Sequence, residues 1–143
     1  MNVQTLANGS FYGRAAKPLE VGGVTLAETA YDANFVVPLH DHAHPIMCLA
    51  LAGRFTEHVG RRRDVLERRA VFFQPAGEAH AETFHQSPAR LFNVQMGAEC
   101  IRWLDEYRVA LPAAPMNVSR GRLSILAMQL HGEYRLREGP LRL

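Results

Sequence analysis

Two short segments hold the residues best suited to chemistry: His40-Asp41-His42-Ala43-His44 and Pro75-Ala76-Gly77-Glu78-Ala79-His80. On a strand, successive side chains point to opposite faces, so His40 and His42 share one face and Asp41 takes the other. A turn built on Pro75 and Gly77 can bring His80 to the same place. Three imidazoles meeting in one enclosed volume make either a transition-metal site or a polar-lined pocket for an organic ligand, and both readings stay open. Three imidazoles plus water are a common way to hold zinc with an open position, at Zn–N distances of about 2.0–2.1 Å. Cys48 has the same strand parity as His40 and His42 and offers a soft fourth donor; Glu82 shares the parity of His80 and offers an oxygen. Nickel, iron and manganese are the other candidate ions. The pocket reading adds His44, Ile46, Cys48 and Glu78 as ligand-binding residues. His58, His85 and His131 are expected at the surface.

These side chains need strands to carry them. Val24–Tyr31, Asn34–His42 and a long Ile46–His58 read as strands, followed by a turn at Gly60–Asp64 with Arg61-Arg62-Arg63 in solvent. Val65–Gln74 gives one or two short strands, His80–His85 another and Arg90–Met96 the last. Many short strands at near-regular spacing predict a sandwich or barrel. Ile46–Ala52 is apolar on both faces, so one face looks into the barrel and the other meets a helix or a second subunit. The period then changes to helical. Ala98–Ala110 places Ile101, Leu104 and Tyr107 about one turn apart, and two prolines between Leu111 and Pro115 end that helix. Ser119 is a candidate N-cap for a second helix, about Arg120–Leu136, with Leu123, Leu126, Leu130 and Tyr134 on one stripe. That stripe is the expected dimer interface. Trp103 is expected to pack on the barrel and Cys100 to be buried.

The bulk composition excludes several classes. The 143 residues are 48% hydrophobic, enough for one domain with a real core. A net charge of +2 is too small to argue for nucleic acid or an anionic membrane as partner of this segment. Residues 1–10 are polar and lack a signal-peptide core, and no run approaches the ~18 apolar residues of a membrane span. Two cysteines make a poor disulfide framework, so a reduced cytoplasmic location is expected.

The residues also carry a family resemblance. In the first cupin motif two histidines one residue apart are followed by a carboxylate and then a glycine; His40, His42, Ile46 and Gly53 occupy those places, so isoleucine replaces the acid. In the second motif Pro75, Gly77 and His80 match, while Arg69 stands where a glycine would be and Phe84 where an asparagine often follows. The register prefers His40 and His42 over His42 and His44, because Pro45 breaks the strand after His44. The resemblance implies a mainly β fold: a small cupin barrel (double-stranded β-helix, jelly-roll-like) over residues 1–97, followed by a helical hairpin over 98–143. Phe11-Tyr12-Gly13-Arg14, Val-Pro-Leu-His at 37–40, Pro-Ala-Gly-Glu-Ala-His at 75–80 and the terminal helices further resemble the N-terminal sensor half of AraC-type transcription regulators. That resemblance implies a small-molecule effector in the barrel and a homodimer. DNA would be read only by helix-turn-helix units, which have no counterpart in these residues. The alternative is a small metal-dependent cupin enzyme (isomerase, hydrolase or dioxygenase-like). Loss of the carboxylate at Ile46 argues against the two-histidine, one-carboxylate iron oxygenases.

Overall fold

The computed structural model describes residues 3–141, so the outermost ends of the segments 1–97 and 98–143 lie outside the described residues. Twelve strands and two helices follow in order: β1 (Gln4–Leu6), β2 (Arg14–Ala15), β3 (Leu19–Val21), β4 (Val24–Tyr31), β5 (Val36–His42), β6 (Ile46–Ala52), β7 (Arg54–Val59), β8 (Arg62–Glu67), β9 (Val71–Gln74), β10 (His80–Phe84), β11 (Ala89–Met96), α1 (Ala98–Glu106), β12 (Met116–Val118) and α2 (Arg122–Leu141). They form a five-stranded sheet, β1-β5-β10-β7-β8, and a seven-stranded sheet, β12-β9-β6-β11-β4-β2, with β3 also on β4. From β4 to β11 the chain crosses between the sheets at every connection except the β7–β8 hairpin, which is the jelly-roll pattern of a small barrel.

Strand alternation divides the apolar residues into two cores. Tyr31, Val37, Ile46, Cys48, Phe55, Phe72, Phe84 and Leu91 fill the barrel. Leu26, Leu49, Val71, Phe92 and Val94 point outward from the seven-stranded sheet and meet Ala127 and Tyr134 of α2. The doubly apolar run in β6 therefore has both faces covered, by barrel interior and by helix. The long strand expected over 46–58 is cut at Gly53, whose φ of +83° turns the chain from one sheet to the other. A Cβ there would stand 2.6 Å from the Pro88 carbonyl oxygen, so only glycine fits.

The C-terminal part departs from a plain helical hairpin. Between the helices, β12 pairs with Phe73, Phe72 and Val71 of β9, and each helix is tied separately to the barrel. The second helix opens at Arg122, so Ser119 is not directly before it and does not serve as its N-cap. The expected stripe is split: Leu123 and Tyr134 pack on the sheet, whereas Leu126 (54% exposed) and Leu130 (36%) face outward with Ile125 and Met128. Trp103, expected against the barrel, is 54% exposed and leans on Tyr107 at 4.7 Å between ring centroids, and Cys100 is only partly buried. The first helix has no buried residue, and its short length gives it one shallow contact with β11. His131 is also not a surface residue. Its Nε2 lies 2.6 Å from Glu28 Oε1, and its ring packs on Phe92, which fastens α2 to β4.

Truncating Phe92 to alanine removes the ring shared by the sheet, His131 and Tyr134. The expected cost is about 3–5 kcal/mol, read as a lower urea midpoint; a loss below about 1 kcal/mol would mean that α2 contributes little to the fold.

Candidate metal centre

The three histidines are brought together by two neighbouring strands of one sheet. β10 runs antiparallel to β5 with His80 directly opposite His40, and the next paired residues are Glu82 and Val37. Two residues of β5, Pro38 and Leu39, thus oppose the single Ala81, a β-bulge centred on a proline that has no N–H to pair. The bulge leaves the Pro38 carbonyl free to accept a hydrogen bond from His40 Nδ1 at 2.8 Å. On β10 the Glu78 carbonyl accepts from His80 Nδ1 at 2.9 Å. Both rings are thereby held in the tautomer that turns a bare Nε2 away from the backbone. The Pro75–Gly77 turn is pinned to the end of β5, since Gly77 N–H donates to the His42 carbonyl at 3.0 Å, and Gly77 adopts a φ of +77°.

The rings lie 4.3 Å (His40–His80), 5.0 Å (His40–His42) and 5.2 Å (His42–His80) apart, and one nitrogen from each falls within 4.8 Å of the others. All three are buried. They border a cavity of 20 Å³, closed by Leu6, Phe11 and Tyr12 of the N-terminal segment and by Tyr31, Ile46, Cys48 and Asn93 behind. That volume suits one ion or one water.

Burial governs the protonation of the site. It lowers His40, and it lowers His42 to about 3 and His80 to about 4, with neighbouring imidazoles adding to the effect. Neutral imidazole is the metal-ligating form, so the triad is ready to bind without first losing protons. His42 Nδ1 is buried with no hydrogen-bond partner. A divalent transition ion fits these residues: three neutral nitrogens, an unpartnered buried atom and a space of ionic size. These histidines would hold it.

The other expected site residues separate into two groups. Ile46 and Cys48 do line the cavity. Cys48 does not join the group of donors within 4.8 Å, and its thiol is engaged with Asn93 Oδ1 at 3.2 Å. Burial raises its pKa, which keeps it a thiol. Glu82 also stands outside that group, although its Oε1 is 3.8 Å from His80 Nε2. His44 is displaced from the cavity to an outer groove beside Gly23 and Gly97, because the chain turns at Pro45. Glu78 contributes its carbonyl, not its carboxylate.

Sequence reasoning passed over two participants. Tyr12 stands edge-on to His40 at 5.2 Å, although its segment was noted for other reasons. Glu57, opposite Glu82 on β7, is fully buried and accepts a 2.7 Å hydrogen bond from Gln74. Its parity with Phe55 was the available signal. Burial, with the Glu57 carboxyl adding to it, raises Glu82 to about 8; burial raises Glu57 to about 7 against the Gln74 hydrogen bond that lowers it.

No protein-family model matches the chain, and no curated sequence does. Solved structures show the fold. A DMSP lyase, DddQ from Ruegeria pomeroyi DSS-3, aligns at 19% identity and TM-score 0.51 over 71% of this chain. The cupin domain of Schizosaccharomyces pombe Cnp3 aligns at 17% and 0.54, over 68% of this chain and 72% of that one. An RmlC-like cupin from Shewanella frigidimarina NCIMB 400 aligns at 18% and 0.53, over 64% and 91%. This chain spans 47% of the length of the lyase. The chain therefore has the cupin fold, with a histidine triad that could bind a metal. Among the described residues, no helix is long and apolar enough to cross a membrane.

Opposed titrations should shape stability once metal is removed with a chelator. His42 and His80 are depressed below the ordinary 6.5, so their contribution is present above about 6.5 and is lost as pH falls toward 3. Glu57 and Glu82 are raised above 4.5, so theirs is present below about 4.5 and is lost as pH rises through 8. Combining Glu57→Gln with Glu82→Gln should shrink the drop in urea midpoint between about pH 5.5 and about pH 8.5; a drop equal to that of the wild type would contradict the assignment.

Proposed function

We propose that this chain is a metal-holding sensor domain. His40, His42 and His80 hold one divalent transition ion, zinc first, with nickel, iron or manganese as alternatives. A small effector reaching the remaining coordination position biases a homodimer, whose DNA-reading helix-turn-helix units lie outside these residues. The observation that carries the metal reading is three neutral imidazoles around a 20 Å³ space, two of them oriented by backbone carbonyls. The regulator reading is supported by the sequence resemblance to AraC-type sensor halves. The dimer is supported by the apolar side chains that α2 leaves outward, Ile125, Leu126, Met128 and Leu130. An effector would act through its differential affinity for two dimer geometries, typically about 1–3 kcal/mol of coupling.

A small metal-dependent enzyme is the second reading. It is favoured by the buried Glu82 carboxyl beside His80 and by the likeness in fold to a DMSP lyase. A bound ion would supply Lewis acidity to a substrate oxygen; Glu82 would exchange a proton with it.

Elemental analysis of tag-free protein should find about one transition metal per chain, absent when His40→Ala and His80→Ala are combined. Failure to take up zinc, nickel, iron or manganese would replace the metal site with an organic-effector pocket. In sedimentation, the chain should run at about twice 16.0 kDa, and Leu126→Glu with Leu130→Glu should return it to 16.0 kDa. A clean 16.0 kDa species for the unmodified chain would remove the dimer.

A further inference from the structure

A groove of 570 Å³ lies on the outside of the barrel, between the Arg68-Arg69 turn that joins β8 to β9 and the Asn117–Arg120 segment that leads into α2. It shares no lining residue with the histidine cavity. Its acids are already engaged: Asp64 pairs with Arg62 at 2.8 Å and accepts the Asn117 amide at 2.8 Å, and Glu67 faces Arg54 at 3.5 Å. Arg68, Arg69 and Arg120, all exposed, have no side-chain ion pair or hydrogen bond among the described residues.

Arg69 is the unexpected residue of the three. Its φ is +79°, a conformation that suits glycine and strains a residue with a Cβ. The backbone is held there from two sides: its N–H donates to the Ala50 carbonyl at 2.9 Å, and its own carbonyl accepts from Ser124 Oγ at 2.7 Å. The turn itself therefore favours glycine, and the arginine side chain adds nothing that the turn needs. What it adds is a third unpaired guanidinium beside the groove. The opening of α2 borders the same rim with no acidic residue in its first turn, which leaves the partial positive charge of the helix end uncompensated.

We propose that this groove binds a small organic phosphate. Guanidinium forks match phosphate oxygens in planar, bidentate geometry. The volume lies in the range of small-molecule sites. Asp64 and Glu67 on the same wall would repel an extended polyanion laid across it, so a compact ligand fits better than a nucleic acid.

Calorimetry on the full chain at low salt, with glycerol 3-phosphate and inorganic phosphate as probes, tests this. Glycerol 3-phosphate should bind at one saturable site per chain, more tightly than inorganic phosphate. Arg69→Gly and Arg120→Ala should each weaken it at least about tenfold, while His80→Ala should not change it. Because glycine relieves the strained turn, Arg69→Gly should lose binding while Tm rises by about 2–5 °C, which a merely structural arginine would not do. The proposal is overturned if no saturable heat appears or if both arginine variants bind like the wild type. It is equally overturned if His80→Ala abolishes binding, if inorganic phosphate binds as well as the ester, or if a single-stranded oligonucleotide outcompetes both.

Discussion

Three imidazoles enclosed in one small volume cannot all be charged, and the barrel keeps them neutral while aiming their lone pairs at one point. Burial supplies the first half of that condition by disfavouring the imidazolium form. Two backbone carbonyls supply the second by capturing Nδ1–H of His40 and His80. One of those carbonyls is free only because β5 carries an extra residue at Pro38-Leu39 opposite Ala81. Without the bulge, His40 would lose either its partner across the sheet or the acceptor that orients its ring. A proline-centred irregularity in one strand thus decides whether the donors converge.

Packed aromatic rings, Phe55, Phe72, Phe84 and Tyr31, fill the barrel interior, and Phe72 and Tyr31 also border the histidine cavity. Glu57, Gln74 and Glu82 are buried carboxyl and amide groups with few partners. Burying them is unfavourable unless the acids keep their protons or meet a cation. The raised positions of both acids show the first alternative, and a metal at the triad would draw Glu82 toward the second. The outer face of the seven-stranded sheet is closed by α2, held by Tyr134 and by the Glu28 carboxylate, which faces His131, Arg90 and Arg135.

Much of this was legible before any coordinates. The strand bounds 24–31 follow from turn residues and alternation, whereas the long strand expected over 46–58 is two; the chosen histidine pair follows from Pro45 and Gly53. The helices were read less well. Packing for Trp103 follows from its place beside the helical stripe and burial for Cys100 from its residue type, yet α1 is too short and too shallowly docked to bury them. His131 was assigned to solvent because a lone histidine on a mostly polar turn gives no hint of Glu28, 103 residues away. The expected stripe on α2 is split, because apolar and polar side chains are spread round the helix and periodicity could not tell which leucines met the sheet.

What the residues determined by themselves is local: which side chains alternate inward, where glycine and proline must bend the chain, and that His40 and His42 share a face. Those follow from the period of two along a strand and from the steric limits of single residues. What only the tertiary structure decided is everything that depends on one strand's position against another. The bulge opposite Ala81, the exclusion of Cys48 from the donor group by Asn93, and the placing of Glu57 across from Glu82 all belong here. Register and crossing between sheets arise from the summed packing of the whole barrel, and no short stretch of the chain carries that information.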